Sequence, residues 1–265
     1  MEIMQIGNGG AFDFDQTNSS FLIREKDLNL NYLLFDCGRN VIEELIKMHK
    51  TSFEGFNLGN LKYVYISHMD DDHIGSLKTL IYYMFFIHKK KLRIIFSEGI
   101  GKDLKKYLKR LNFYKENGEI INEKLYLPIE LKSHQIFKIG KYLGLQPFFV
   151  NHSVPCYGII LKNFGCLTDQ GIVISGDTTD VISLEKYKYH KYLIFQDYSL
   201  INSADNQVHC CKDLYLKFGK TNLKEDKNNI KFYHTGLPFI KKWFTIEDGI
   251  NNIENKILEE LKKEV

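Results

Sequence analysis

Four short apolar segments of this chain are each followed by a histidine or an aspartate, and this recurrence limits the possible folds more than any other feature. The segments and the residues that follow them are 63–66 with His68, 148–150 with His152, 172–175 with Asp177, and 231–233 with His234. Runs of this length and composition are typical of buried β-strands. Because open sheets place their sites beyond the carboxyl ends of strands, the pattern predicts one crevice that gathers residues from most of the chain.

The segment after residues 63–66 is rich in groups that bind metals. His68, Asp70, Asp72 and His73 lie within six residues of sequence, with a further carboxylate at position 71. Carboxylates this close repel one another, so a cation among them is the favoured explanation. A mixture of imidazole nitrogen and carboxylate oxygen suits zinc, manganese or iron better than magnesium or calcium. The alternative interpretation is a solvated acidic turn.

Short β-type segments recur along the chain and alternate with helical patterns, which predicts an α/β fold. Besides the four segments above, the predicted strands cover residues 3–6, 21–24, 32–36, 93–96, 158–161 and 192–195. Helical spacing of apolar residues predicts helices at 41–48, 75–88, 103–111 and after Thr245 toward the C-terminus. With 19 Gly and 4 Pro and no Pro/Gly-rich linker, we expect one domain over residues 1–265.

Composition narrows the range of partners. The 36 Lys and Arg residues against 33 Asp and Glu residues give a net charge of +3, far below that of a domain that holds nucleic acid through its phosphates. The longest apolar run, 80–87, has eight residues, whereas a membrane-spanning helix needs about 20. We therefore expect no stable nucleic-acid partner, no membrane contact and a cytoplasmic location. The five cysteines lack CxxC spacing and are expected to be reduced core thiols.

The order of the candidate ligands resembles that of a known family. His68-x-Asp70-x-Asp72-His73, His152, Asp177 and His234 look like the successive metal motifs of the metallo-β-lactamase fold. Residues 151–158 are similar to the third motif of its RNase Z branch, and residues 6–12 to the opening strand and loop of that branch. Within this branch the chain is similar to cyclic nucleotide phosphodiesterases of the anti-Pycsar type. The resemblance implies an αββα four-layer sandwich, with helices outside two facing sheets and a dinuclear site at one edge.

The resemblance also implies two divalent transition metal ions, zinc or manganese, and assigns their ligands. One ion would be held by His68, Asp70 and His152, the other by Asp72, His73 and His234, with Asp177 as the bridge. The family usually has histidine at the position of Asp70. A carboxylate there makes the site less positive, so we expect manganese to support activity at least as well as zinc.

Two further residues resemble the proton-donating pair of the RNase Z branch. Asp197 follows the predicted strand 192–195, and His209 resembles the histidine that this acid orients. We expect Asp72, Asp197 and His209 to be the catalytic residues. The alternative is a surface aspartate and an unrelated histidine.

Together these features predict a metallohydrolase, a phosphodiesterase that attacks a small nucleotide diester, above all a cyclic nucleotide, with a metal-activated hydroxide. Two alternatives stay open: an RNase Z-type tRNA 3′ endonuclease, and a non-catalytic metal- or ligand-binding member of the fold. Only 25 positions separate His152 from Asp177, which leaves no room there for the tRNA-gripping arm of RNase Z enzymes. The resemblance also favours a homodimer.

Four aromatic residues adjoin the motifs, namely Phe12, Tyr157, Phe239 and Trp243. Each could stack against a nucleobase in a compact pocket. Core packing is the simpler interpretation, and we expect it for all four.

Overall fold

The computed structural model describes residues 1–25, 31–109, 111, 125–165, 170–182, 191–200, 208–213, 216, 230–237, 239 and 241–245. The strands in these ranges are β1 (Glu2–Gly7), β2 (Ser20–Arg24), β3 (Tyr32–Phe35), β4 (Leu61–Ile66), β5 (Leu92–Ser97), β6 (Tyr126–Leu131), β7 (Phe137–Ile139), β8 (Leu143–Val150), β9 (Cys156–Asn163), β10 (Gln170–Ile174), β11 (Lys191–Asp197), β12 (Ile230–Tyr233) and β13 (Phe244–Thr245). The α-helices are α1 (Val41–Lys50), α2 (Asp71–Ile74), α3 (Leu77–Phe86) and α4 (Glu98–Lys109). Two short 3₁₀ turns, Phe53–Gly55 and Leu58–Asn60, precede β4.

The strands form two sheets, each mixed in direction. The first sheet has seven strands in the order β13-β1-β2-β3-β4-β5-β6, and the second has six in the order β12-β11-β10-β9-β8-β7. Strands β3 to β6 run parallel, and so do β10 to β12. Strand β8 is separated from β10 by the antiparallel β9, so it ends at the same edge as β10 and β12. The residues that follow β8, β10 and β12 therefore leave the second sheet side by side.

A continuous hydrophobic core joins the two sheets. Ile159 and Leu161 of β9 belong to the same buried cluster as residues of the first sheet. Phe21 of β2 lies at this contact, with its ring centroid 4.8 Å from that of Phe195 and 5.1 Å from that of Tyr233. Both contacts are edge-on, the arrangement that aromatic quadrupoles favour. The sheets are thus fixed relative to each other close to the strand ends that carry the candidate ligands.

Three layers of the predicted αββα sandwich lie within the described residues. Helices α1, α3 and α4 contact the first sheet, and α4 buries Leu104 and Leu108 on one face. The second sheet is buried on its outer face too, where alternate residues such as Ile160 and Val173 form a separate cluster. The C-terminal helix predicted after Thr245 falls on residues outside the described ranges.

All ten predicted strands overlap strands of the structure, whereas β6, β7 and β13 are not predicted. Strand β6 contains Pro128, which argues against a central strand, and its place at the sheet edge explains why the proline is tolerated. Strands β7 and β13 are too short to give a pattern.

Helix α4 begins at Glu98, five residues before the predicted start at residue 103. The sequence does not reveal this first part of the helix, because Gly99 and Gly101 have low helix propensity and weaken the helical signal. A Cβ on Gly99 would overlap the Tyr157 hydroxyl, so close packing requires this glycine.

Two of the composition-based expectations can be compared with the structure. Within the described ranges, no helix is both long and apolar enough to cross a membrane.

The cysteines described in these ranges are buried and form no disulfide. They are Cys37, Cys156, Cys210 and Cys211. Burial raises the pKa of the Cys37 thiol to about 12, which keeps this thiol protonated and unreactive.

The aromatic residues that adjoin the motifs do not share one environment. Tyr157 and Trp243 pack against the core, as expected. Phe239 is half-buried. Phe12, however, is 90% exposed. The core-packing expectation is wrong for Phe12, because the turn that follows β1 directs its ring away from both sheets.

Truncation of Phe21 tests whether its contacts hold the sheets together. We expect Phe21→Ala to lower the free energy of unfolding by about 3 to 5 kcal/mol, since it removes a buried ring and leaves a cavity. Phe21→Leu should lose less. Denaturant unfolding of the metal-saturated protein measures the difference, with Phe164→Ala as the control because that ring is 48% exposed. Equal losses for Phe21→Ala and Phe164→Ala would contradict the assignment.

Candidate metal centre

The strand ends bring the seven predicted ligands together. All seven lie just beyond a strand: His68, Asp70, Asp72 and His73 beyond β4, His152 beyond β8, Asp177 beyond β10, and His234 beyond β12. Their side chains are buried except that of Asp70, which is 43% exposed. The neighbouring Asp71 turns away from the group, and its carboxylate lies 3.6 Å from Arg39 Nε.

Three of the residues form a first set at the more open side. The Asp70 Oδ2 atom lies 3.6 Å from His68 Nε2 and 3.4 Å from His152 Nε2. One ligand atom from each residue falls within 4.8 Å of the others. Two imidazoles and a carboxylate at this separation can hold one transition metal ion.

Four residues form a second set, which is deeper. His73 Nε2 lies 3.5 Å from Asp72 Oδ2 and 3.1 Å from Asp177 Oδ2, and His234 Nε2 lies 3.3 Å from Asp72 Oδ2. Their ligand atoms also fall within 4.8 Å of one another. This arrangement can hold a second ion.

Asp177 belongs to the second set and also reaches the first. Its Oδ2 atom is 3.9 Å from His68 Nε2 in the first set, and 3.1 Å from His73 Nε2 and 3.6 Å from His234 Nε2 in the second. A single carboxylate that reaches both sets is the geometry required of a bridging ligand.

The Nδ1 atoms of three histidines are held from behind, so their Nε2 atoms point toward the centre. His73 Nδ1 donates to Asp36 Oδ2 at 2.8 Å, and His152 Nδ1 donates to the Val208 carbonyl at 2.8 Å. The Ser67 hydroxyl donates to Asp36 Oδ2 at 2.7 Å and therefore accepts from His68 Nδ1 at 2.9 Å. Metal-binding histidines are characteristically oriented by such bonds to their other ring nitrogen.

Two buried polar atoms in the centre lack hydrogen-bond partners, which bears on whether metal ions fit there. His68 Nε2 and Asp177 Oδ1 are buried and have no hydrogen-bond partner. Buried polar atoms are almost always satisfied, and a cation between the two sets would satisfy both. The residues present thus fit two divalent ions.

Sequence reasoning missed two residues that support the ligands. Asp36 accepts bonds from the Ser67 backbone and hydroxyl as well as from His73. Asn8 Oδ1 accepts a bond from the His234 backbone N–H at 2.9 Å. The signal for Asp36 was present, because it directly follows the apolar strand β3 just as the ligands follow theirs.

Charges within the centre favour ionised carboxylates. Hydrogen bonds with His152 and His68 hold the pKa of Asp70 well below its usual range. Burial acts to raise the pKa of Asp72, but His73 and other neighbours outweigh it and lower that pKa. Burial, helped by His73, lowers the pKa of His68, which favours the neutral imidazole that a metal requires.

Asp197 and His209 lie together beside the second set. Asp197 Oδ2 accepts a 2.9 Å bond from His209 Nδ1 and a 2.8 Å bond from the Thr178 backbone N–H. Burial of the imidazole opposes its charge, but Asp197 and then Asp177 outweigh it and raise the pKa of His209 to about 9. At neutral pH this imidazole carries a proton.

The sequence profile of the family described as Anti-Pycsar protein Apyc1 matches residues 1–234. The chain belongs to this family. The matched range contains both ligand sets and the Asp197–His209 pair.

Curated relatives of this Apyc1-family chain carry two names. Ribonuclease Z from Methanococcus aeolicus is 28% identical over 166 residues, which are 61% of this chain and 47% of the relative. Anti-Pycsar protein Apyc1 from Bacillus phage 010DV004 is 34% identical over 105 residues, which are 39% of this chain and 38% of the relative. The chain spans about half the length of the curated relatives it matches.

Solved structures similar to this Apyc1-family chain confirm its fold. The short form of human tRNase Z superposes with a TM-score of 0.67 at 16% identity, covering 93% of this chain and 99% of its own. The metallo-β-lactamase fold protein YhfI from Bacillus subtilis gives a TM-score of 0.67 at 17% identity, covering 98% and 92%. Unliganded yeast PDE1 gives 0.62 at 14% identity, covering 98% and 94%. The chain has the metallo-β-lactamase fold.

In this Apyc1-family protein, Asp36 should control metal affinity without binding the metal. We expect Asp36→Asn to weaken metal binding about 10- to 100-fold, the usual effect of losing a partner that orients a histidine ligand. Metal titration of the stripped protein measures this change. Asp71→Asn is the matched control, since the Asp71 side chain is 73% exposed and lies outside both sets. Unchanged affinity in Asp36→Asn would show that His73 does not need this bond.

Proposed function

We propose that this chain is a metal-dependent phosphodiesterase whose substrate is a small nucleotide diester, above all a cyclic nucleotide. The observation that carries the proposal is that two adjoining His/Asp sets share Asp177 and lie beside the bonded pair of Asp197 and His209. Two-ion sites of this kind suit in-line displacement at phosphorus. Membership of the Apyc1 family and the relative named Anti-Pycsar protein Apyc1 support the cyclic nucleotide substrate.

The chain would hold two divalent ions, zinc or manganese, through the ligands that the sequence predicts. His68, Asp70 and His152 would hold one ion, and Asp72, His73 and His234 would hold the other, with Asp177 available to both. When bound, the ions supply Lewis acidity to the phosphodiester and to an attacking water. Asp72 contacts His73 and His234 of the second set, and Asp177 reaches donor atoms of both sets.

The pair of Asp197 and His209 supplies the proton that the leaving oxygen needs. Asp197 fixes the imidazole through Nδ1, so His209 would donate from Nε2. A positioned general acid of this type typically contributes about 10² to 10⁴ in rate. Asp197 contributes to the raised pKa of His209 and so favours the protonated imidazole.

The chain between the second and third ligand-bearing strand ends supports a small substrate. Strands β9 and β10 pair as antiparallel neighbours between His152 and Asp177, and they account for most of the 25 positions that separate these two residues. This interval does not accommodate an arm for gripping tRNA. The net charge of +3 also gives little attraction for a folded RNA.

An RNase Z-type tRNA 3′ endonuclease is the second candidate. It is favoured by the curated relatives named Ribonuclease Z, which match about three fifths of this chain. A non-catalytic metal- or ligand-binding protein is the third. The lack of a Pro/Gly-rich linker further suggests a single domain over residues 1–265, and the resemblance suggests a homodimer. We retain both as proposals.

One substrate panel separates these candidates. Metal-loaded protein is offered cyclic mononucleotides, cyclic dinucleotides and precursor tRNA, and its metal content is determined in the same preparation. We expect kcat/KM for at least one cyclic nucleotide to exceed that for tRNA, because the interval between His152 and Asp177 leaves no room for an arm. Faster cleavage of tRNA at its 3′ end would select the endonuclease. Bound metal without turnover of any diester would select the binding protein.

Asp197 and His209 should act as a unit. We expect Asp197→Asn, His209→Gln and the double variant to lose similar amounts of kcat with their metal retained, since residues of one relay are not additive. Asparagine is chosen because it can still accept the bond from the Thr178 backbone N–H. Steady-state kinetics with metal analysis measures the effect. Additive losses would mean that the two side chains work independently.

Asp70 should tune the choice of metal. We expect the parent to work with manganese at least as well as with zinc, because a third carboxylate favours the harder ion. Asp70→His replaces that oxygen with nitrogen between His68 and His152 and should shift the preference toward zinc. Activity of both proteins after reconstitution with each metal provides the measurement. A parent that is active only with zinc would refute the role of Asp70.

A further inference from the structure

Two phenylalanines of the segment after β1 project into solvent. The Phe12 residue is 90% exposed and Phe14 is 76% exposed. Large apolar side chains on a surface are common when isolated. Two of them within three positions, next to a buried polar centre, require an explanation.

The segment that carries them is firmly held. Asn18 Nδ2 donates to the Gly10 carbonyl at 3.1 Å, and Asn40 Nδ2 donates to the Gln16 carbonyl at 2.8 Å. The Arg39 guanidinium also donates to the Ala11 carbonyl. The backbone on both sides of Phe12 is therefore fixed while its ring remains in water.

The segment starts at the rim of the metal centre. A Cβ on Gly10 would lie 3.2 Å from Cε1 of His234, so the backbone two residues before Phe12 lies directly against a candidate ligand. On the other side, Gly236 lies near the Asp13 carboxylate. The segment that carries Phe12 thus passes directly beside His234 of the second ligand set.

The two rings differ in how much of their faces is accessible. The Arg39 guanidinium lies over Phe14, with Cζ 5.2 Å from the ring centroid. Among the described residues, no aromatic or cationic side chain lies over Phe12. Of these two rings, Phe12 is the one whose faces are open to an incoming planar group as far as the described residues extend.

From this placement we propose that Phe12 is a stacking platform for the nucleobase of the substrate. The inference rests on the proposed function, since a phosphodiester at the metal centre carries its base one ribose away, and the segment that carries Phe12 leaves the centre beside His234. Stacking on an aromatic face requires no hydrogen bonds to the base. Phe12 would then add affinity for purine and pyrimidine nucleotides alike.

The test compares ligands with and without a base. KM and kcat are measured for a purine and a pyrimidine 3′,5′-cyclic nucleotide and for ribose 3′,5′-cyclic phosphate. We expect Phe12→Ala and Phe12→Leu to raise KM for both nucleotides about 5- to 150-fold, the range of one lost stacking contact. Phe12→Trp should retain the parent KM, and the base-free ligand should show no change in any variant.

Phe164→Ala is the matched control. Phe164 is also exposed, at 48%, but it follows β9 at the end of that strand remote from His152. Nucleotide KM unchanged in Phe12→Ala would overturn the proposal. So would an equal rise for the base-free ligand, which would mean that the segment merely shapes the centre. Loss of a dimer in Phe12→Ala with equal effects on all ligands would identify the ring as a contact between copies.

Failure of the proposed function is distinguishable from failure of the platform. If the parent hydrolyses none of the three ligands, calorimetric binding of the same ligands to the metal-loaded parent and variants replaces the kinetics. Nucleotide binding that weakens in Phe12→Ala but not in Phe164→Ala would support the platform without catalysis. Absence of nucleotide binding to the parent would overturn the platform too.

Discussion

Three carboxylates and four imidazoles occupy one largely buried crevice, and the rest of the structure is arranged around this concentration of polar groups. Burying a charge is costly unless it is paired and hydrogen-bonded. Asp36 meets part of this requirement by accepting bonds from the Ser67 backbone, the Ser67 hydroxyl and His73. Two ions, one held by each ligand set, would satisfy the polar atoms that still lack a hydrogen bond, since His68 Nε2 and Asp177 Oδ1 have no hydrogen-bond partner.

The strands supply the rigidity that such a site needs. A metal centre requires its ligands to be held within about 0.5 Å, which loops rarely achieve. Three strands end in left-handed backbone: Asp36 after β3 has φ 60°, Gly176 after β10 has φ 70°, and His234 after β12 has φ 66°. This conformation is unfavourable for the two non-glycine residues. It turns the chain sharply at the strand end, and the packed sheets on either side hold it there.

The centre has a closed side and an open side. On the closed side, Asp36, Ser67 and Asn8 fix the ligands by hydrogen bonds. On the open side, the Asp70 side chain is 43% exposed and that of His209 is 21% exposed. A substrate would therefore meet the metal ligands and the proton donor from this side.

The sequence by itself determined ten of the described strands and the candidate ligands, because apolar runs and the residues that follow them are local signals. It also placed Asp197 beside His209 through resemblance, and the observed 2.9 Å bond agrees. Only the tertiary structure decided that Asp36 supports His73 and Ser67, and that Phe12 lies in solvent. These features depend on contacts between segments far apart in the chain, and no local pattern records which side chain another strand end will meet.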